Sequence, residues 1–283
     1  MRIKVDNFNL EATLESGQVF GFRRNGEDGF FGVIGKTPVN LCQRGSALVI
    51  SSPPDGGREI SDIIRYFDLD RDLTPVYKIL QEDPRLAKCY DVFKGLRLIR
   101  QDPWEALACF ILSSNNNVKR IQGIWRNLSK NLGERVTDGD FSFPQARQIA
   151  GVHERTLREL GLGYRAPFLL HTACFVAANP SYLEAVHEAP YEGAKSRVLA
   201  FPGIGEKVAD CVLLYGFQKY EAFPVDVWIL RAMRKLYFRS RKVSEGKIHA
   251  FAQKRWGAHA GYVQQYLFHG ARTGIISAQG EEK

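Results

Sequence analysis

The segment RVLAFPGIGEKVADCVLLYGF, residues 197–217, holds the side chains best placed to do chemistry. An apolar helix runs into Phe201-Pro202-Gly203-Ile204-Gly205, and a second helix is expected to start near Glu206. Pro202 stops the first helix, while Gly203 and Gly205 permit backbone angles and close approaches that a Cβ would hinder. The turn then directs free N–H groups out of the second helix's N-terminus, where they can hold a phosphate oxygen without reading a base. Lys207 falls in the first turn of that helix, where the macrodipole disfavours a cation. Its ammonium should lose a proton more easily and become an amine able to attack an electrophilic carbon. Nineteen residues on, FPVDVWILRAM (223–233) places Asp226 as the N-cap of a helix beginning at Val227, with Pro224 fixing the approach. A capping carboxylate accepts backbone N–H bonds and is expected to stay ionised. In a cleft, such a charge can stabilise an oxocarbenium cation developing on a sugar. Taken singly, PGIG is also a plain turn between helices, Lys207 a solvated surface lysine and Asp226 a simple cap. Together they read as a nucleophile and its electrostatic partner beside a phosphate clamp.

The elements that must position these groups fall into two textures. Residues 1 to about 55 read as β-structure: QVFGFRR (18–24), GFFGVIG (29–35), PVNLCQR (38–44) and SALVISS (46–52) are separated by Gly, Asn, Asp or Pro, as in an antiparallel sheet with tight turns. SSPPDGGRE (51–59) reads as a loop. From about residue 58 the periodicity becomes helical. Asp102, Pro103 and Glu105 signal a helix start with a capping box, and Trp104, Leu107, Ala108 and Ile111 line one face of that helix. SSNNN (113–117) interrupts it, and VKRIQGIWRNL begins the next. Further helices are expected over 143–150, 153–160, 167–177, 181–187, 191–199, 206–217, 227–238, 244–255 and 259–269. The fold class is α+β: an N-terminal antiparallel β-sheet domain over 1–95, then an all-α helix-hairpin-helix domain over 96–283.

Composition bounds the rest. Apolar residues at 45% and charged residues at 25% suit a globular chain with a real core and exclude a disordered tail, a collagen-like chain or a coiled-coil rod. No apolar run approaches the roughly 18 residues of a membrane span, so no membrane association is expected. The N-terminal stretch lacks the apolar core of a signal peptide, so an intracellular protein is expected. The five cysteines at 42, 89, 109, 174 and 211 form no CxxC pair, which argues against a disulfide framework, a zinc knuckle or an iron–sulfur cluster. The 39 Lys plus Arg against 31 Asp plus Glu leave +8, which favours a polyanionic partner.

Beyond the hairpin, LESGQVFGFR (14–23), GLRLIRQDPWEALACFILSSNNNVKRI (95–121), LGLGYRAPFL (160–169), FPGIGEKVADC (201–211), PVDV (224–227) and GYVQQYLFH (261–269) run in one order over nearly the whole chain. In these blocks the chain resembles the eukaryotic-type 8-oxoguanine DNA glycosylase/lyases of the helix-hairpin-helix base-excision superfamily. The resemblance implies a TBP-like N-terminal domain and an enzyme that works on duplex DNA containing 8-oxoguanine. It further implies a monomer in the cytoplasm or nucleoid if prokaryotic, with no cofactor. It implies that Lys207 is the nucleophile at C1′ and that Asp226 stabilises the oxocarbenium-like transition state. The target base must be rotated out of the duplex. By resemblance, Phe268 and Cys211 would sandwich it, Gln264 would bond its Watson–Crick edge and Pro224 would line the site. The carbonyl of Gly17 would accept the N7–H that 8-oxoguanine has and guanine lacks. Asn115 would fill the hole in the stack. Arg120 and Arg165 would donate to the orphaned cytosine, with Tyr164 wedged beside it, and Gly203 and Gly205 would meet the phosphate. Relatives hold a structural cation on hairpin carbonyls, here those of Leu199, Phe201 and Ile204.

The chain departs from the animal pattern at two places: Trp228 stands where histidine usually follows PVDV, and Ala271 where an acidic partner of that histidine is expected. The competing readings are a helix-hairpin-helix glycosylase for another damaged purine, and a non-catalytic DNA-binding module. Lys207 argues against the first, because a monofunctional glycosylase would use water; Lys207 with Asp226 argues against the second.

Overall fold

A computed structural model of the chain describes residues 1–51, 60–239 and 242–276. The expected loop at 51–59 lies outside the described residues except for Ser51. The N-terminal part is a five-stranded antiparallel sheet, ordered β1-β5-β4-β3-β2. Its strands are β1 (Arg2–Lys4), β2 (Phe22–Asn25), β3 (Gly29–Ile34), β4 (Thr37–Arg44) and β5 (Ala47–Ser51). The register sets Leu41 opposite both Phe30 and Ile50, so apolar side chains stack on one face. Val39, Leu41, Leu48 and Ile50 are buried there against Phe8, Ile63 and Phe67. Each such side chain contributes about 1.5–3 kcal/mol on leaving water.

A helix interrupts the expected β-texture: α1 (Leu10–Glu15) starts at Asn9, whose side chain accepts from the Ala12 N–H. The cap and the Leu10–Leu14 spacing at i, i+4 outweigh any strand preference there. Three helices follow the sheet: α2 (Ile60–Tyr66), α3 (Thr74–Glu82) and α4 (Ala87–Phe93). The next two are α5 (Pro103–Leu112) and α6 (Val118–Leu132). Asp102 caps α5 as expected, accepting from the Glu105 N–H at 2.9 Å. The return half of that capping box is not made: Glu105 Oε1 instead accepts from Trp125 Nε1 at 2.8 Å, because α6 packs over it.

The rest of the helical body is α7 (Ala146–Ala150), α8 (Glu154–Leu157), α9 (Ala166–Ala178), α10 (Tyr182–Glu188), α11 (Tyr191–Leu199), α12 (Glu206–Phe217), α13 (Val227–Leu236), α14 (Glu245–Trp256) and α15 (Ala260–Arg272). Its large core takes in Val76, Leu80, Cys89 and Phe93 from α3 and α4, so packing continues across residue 95. Buried polar groups lock the sheet to the helices. Gln18 donates to the Thr13 and Arg97 carbonyls and accepts from the Ile99 N–H. Asp68 accepts from Tyr262 Oη at 2.6 Å and from Arg71 at 2.8 Å. Among the described residues no helix is long and apolar enough to cross a membrane.

Candidate active site

The hairpin forms as the sequence demands, but its two glycines differ. Gly203 sits at φ +79°, and a Cβ there would meet the Phe168 ring at 2.4 Å. Gly205 is the N-cap of α12 at φ −101°, with nothing within 4 Å of where a Cβ would lie. The expected steric demand for glycine therefore holds at Gly203 and is corrected at Gly205, where the surface is open. No side chain caps α12. Its first N–H groups keep the positive end of the helix dipole available to an anion. The Phe201 carbonyl, one of the expected cation ligands, accepts the Ile204 N–H at 3.3 Å.

Lys207, in the first turn of α12, is turned inward. Its Nζ donates to Ser113 Oγ at 3.3 Å and lies 5.9 Å from the centre of the Phe110 ring. One turn further in, the fully buried Asp210 anchors the helix. It accepts from Tyr191 Oη at 2.6 Å and pairs with Lys195 at 2.9 Å, while His249 Nε2 stands 3.5 Å away. Lys195 also bridges to Glu206 at 2.8 Å, tying α11 to the mouth of α12.

Asp226 caps α13, accepting from the Ile229 N–H at 2.8 Å. The capping bond expected to favour the ionised carboxyl is present, but it is not the largest influence on Asp226. Burial raises it above its usual value of 3.8, and the Ile229 bond, the Lys207 charge and the Arg272 charge only partly offset that loss of solvation.

Both groups open onto one cavity of about 460 Å³, within the roughly 300–1,000 Å³ typical of ligand sites. Gly17, Cys211, Pro224, Gln264 and Phe268 line it together with Lys207 and Asp226. Gly17 arrives from the sheet side at φ +82°, held by the Gln18 bonds and by Gln265 Nε2, which donates to the Ser16 carbonyl at 3.2 Å. Cys211 is buried, and burial pushes its thiol up to about 11, so it faces the cavity uncharged. Gln264 Nε2 donates to the Pro224 carbonyl at 3.1 Å, leaving Oε1 buried without a partner. Phe268 is half-buried on the same face of α15. Trp228 lines the wall near Asp226, and Ala271 is buried in the core.

The SSNNN loop crosses the mouth. Asn115 is exposed at φ +46°, a left-handed conformation that asparagine tolerates better than most residues. The cap of α6 is Asn117, which accepts from the Arg120 N–H at 3.0 Å and leaves the exposed Arg120 side chain on the first turn. Arg165 is buried and occupied: it donates to the carbonyls of Ser114, Asn115 (2.8 Å) and Leu162 (3.5 Å). These four bonds draw on the five N–H groups of a guanidinium, so its main work without DNA is clamping the loop that carries Asn115. Tyr164 is exposed and donates to the Ser114 carbonyl at 3.2 Å.

Sequence reasoning missed several wall residues. Phe20, Phe110, Ser113 and Arg272 line the cavity, and Asp210 sits behind it. Arg272 was readable as one face with Gln264 and Phe268 at i, i+4, i+8 spacing. Asp210 had no local signal, because its partners come from two other helices, α11 and α14. Among the described residues no group of three His, Cys, Asp or Glu converges as a side-chain metal site would require.

Comparison with known proteins places the chain in a family. Residues 1–107 match the N-terminal domain of 8-oxoguanine DNA glycosylase, and residues 108–258 match the HhH-GPD superfamily of base excision DNA repair proteins. A probable N-glycosylase/DNA lyase of Methanothermobacter thermautotrophicus is 33% identical, covering 98% of this chain and 97% of its own. The 8-oxoguanine glycosylase/lyase of Clostridium acetobutylicum, solved with double-stranded DNA containing cytosine opposite 8-oxoG, superposes with a TM-score of 0.90 at 31% identity, covering 98% of this chain and 99% of that one. The 3-methyladenine DNA glycosylase of Archaeoglobus fulgidus shares the fold, at a TM-score of 0.81 and 22% identity over 96% of this chain and 98% of its own. With its N-terminal sheet domain matched as well as its helical body, the chain belongs to the HhH-GPD superfamily of base excision DNA repair proteins, on the 8-oxoguanine DNA glycosylase branch.

Proposed function

We propose that this chain excises 8-oxoguanine from duplex DNA, preferentially opposite cytosine, and then nicks the strand at the resulting abasic sugar. One observation carries the reading: Lys207, Asp226, Cys211, Gln264, Phe268 and Gly17, drawn from four separate stretches of sequence, share the wall of a single cavity. The Lys207 amine attacks C1′ of the everted nucleotide. The bond from C1′ to the base breaks with its electron pair on the base, which takes up a proton. Asp226 carries the negative charge that stabilises the cationic sugar as this bond opens. The aminal opens to an imine, which acidifies the 2′ hydrogen. Loss of that proton expels the 3′ phosphate oxygen, and water then releases the lysine.

The base is held between Phe268 and the neutral Cys211, with Pro224 at its rim. The free Gln264 Oε1 accepts from its Watson–Crick edge, and the Gly17 carbonyl accepts the N7–H. Undamaged guanine presents an acceptor at N7, so two acceptors would face each other without a proton. Asn115 enters the stack, and Arg120 and the remaining Arg165 N–H address the cytosine beside Tyr164. Gly203, Gly205 and the mouth of α12 grip the backbone phosphate, with the cation on the Leu199, Phe201 and Ile204 carbonyls as a structural aid. The enzyme works inside the cell as a single chain. Borohydride trapping tests the reading: the native chain should link covalently to an 8-oxoguanine·cytosine duplex, and Lys207→Gln should not. Equal trapping by Lys207→Gln would overturn the assignment.

A further inference from the structure

Gln264, Phe268 and Arg272 follow one another at i, i+4, i+8 along α15 and all line the cavity. Arg272 is out of place by ordinary rules. Its Nη1 is buried with no hydrogen-bond partner. Asp226, Tyr215 and Glu15 are near enough to feel its charge, yet none closes a bond to that nitrogen. Its guanidinium carbon lies 5.3 Å from the centre of the Phe268 ring. A Cβ at Gly17 would meet Nη1 at 2.3 Å and the Phe268 ring at 3.4 Å, so the guanidinium, the Gly17 backbone and the Phe268 edge converge. Leaving a buried cationic donor unbonded is costly. Burial accordingly lowers the Arg272 pKa below its ordinary value of 12.5.

The occupant must supply an acceptor, since a guanidinium can only donate. The neighbouring groups narrow its chemistry. Gln264 has spent an N–H on the Pro224 carbonyl and offers a bare Oε1, an acceptor. Gly17 offers a carbonyl, also an acceptor. A purine that satisfies both presents N–H groups at its Watson–Crick edge and at N7. The exocyclic group at C6, between those edges, then needs a donor from the protein. We propose that Arg272 is a specificity-determining residue that donates to the C6 carbonyl of the everted base, selecting 6-oxopurines over 6-aminopurines. Adenine-type bases carry an N–H donor at that position, which would face the guanidinium donor to donor. This rests on the reading of the cavity as the pocket for the everted base.

The test is single-turnover excision from duplexes carrying 8-oxoguanine or 8-oxoadenine opposite cytosine, by the native chain, Arg272→Leu and Arg272→Lys. Thermal unfolding midpoints check that both variants fold. The native chain should favour 8-oxoguanine, and Arg272→Leu should lower the ratio of the two rates at least tenfold, with Arg272→Lys between them. Tenfold corresponds to about 1.4 kcal/mol of discrimination. A ratio unchanged within threefold, or loss of both activities in a folded variant, would show that Arg272 merely fills space and would overturn the proposal. Failure of the underlying reading is separate: the native chain itself would then release neither base.

Discussion

The two hairpin glycines separate folding from phosphate binding, and their substitutions should diverge. Gly203→Ala forces a Cβ into left-handed backbone, which costs about 1–2 kcal/mol. It also drives that Cβ to 2.4 Å from the Phe168 ring. Overpacking of this kind adds about 1–3 kcal/mol, so a loss of about 2–5 kcal/mol is expected against a total stability of about 5–15. Gly205→Ala meets no atom within 4 Å and keeps an allowed φ of −101°. Its cost should be only about 0.5–1 kcal/mol, because alanine is a poorer N-cap than glycine. Its new methyl would nonetheless stand where a phosphate approaches the mouth of α12. Urea unfolding should therefore rank Gly203→Ala far below Gly205→Ala in stability. Duplex binding, measured well below either unfolding transition, should fall about tenfold or more for Gly205→Ala, a loss of about 1.4 kcal/mol. If Gly205→Ala binds duplex DNA as tightly as the native chain, the hairpin does not grip phosphate through this surface. If Gly203→Ala costs under about 0.5 kcal/mol, the steric argument fails.

Other perturbations probe the remaining groups. Asp226→Asn keeps an acceptor for the Ile229 N–H and should fold normally, yet slow base release by about 10²–10³. The acidic limb of the native rate profile should lie above the ordinary carboxylate value of 3.8, as burial raises Asp226, and should vanish in the variant. Arg120→Ala should erode the preference for cytosine over the other opposing bases by about 1–3 kcal/mol, read from rates on the four duplexes. Glu105 is raised from 4.5 to about 7, chiefly by burial beside Trp125. A carboxyl so raised contributes stability that is full below pH 4.5 and lost as pH climbs through about 7. Relative to Glu105→Gln, the native chain should thus lose about 2 kcal/mol between pH 5.5 and 8.5 in urea unfolding, and a flat difference would refute the burial argument.

Local sequence encodes those features that short-range physics can set. The helices from α5 onward follow from apolar spacing and from Asp102, Pro103 and Asp226 at their starts, and the strands β3, β4 and β5 from runs of apolar residues between turn signals. The placing of Lys207 at a helix mouth was equally local. Where a local signal misled, a distant partner was the cause. Glu105 answers to Trp125 on α6 instead of completing its own capping box, and Asp226 is raised by the walls of a cavity that no stretch of sequence displays. Arg165 gives four of its five N–H groups to carbonyls, three of those bonds going to a loop some 50 residues away, which no local signal announces. Gly17 reaches the pocket only because Gln18 is stitched to Arg97 and Ile99 across the domain junction. The buried, unpartnered Nη1 of Arg272 is likewise visible only once sheet and helices have closed around it. Spacing along a chain fixes which side chains share a helix face; desolvation and hydrogen-bond partnership depend on what packs opposite, and that is settled only when the whole chain folds.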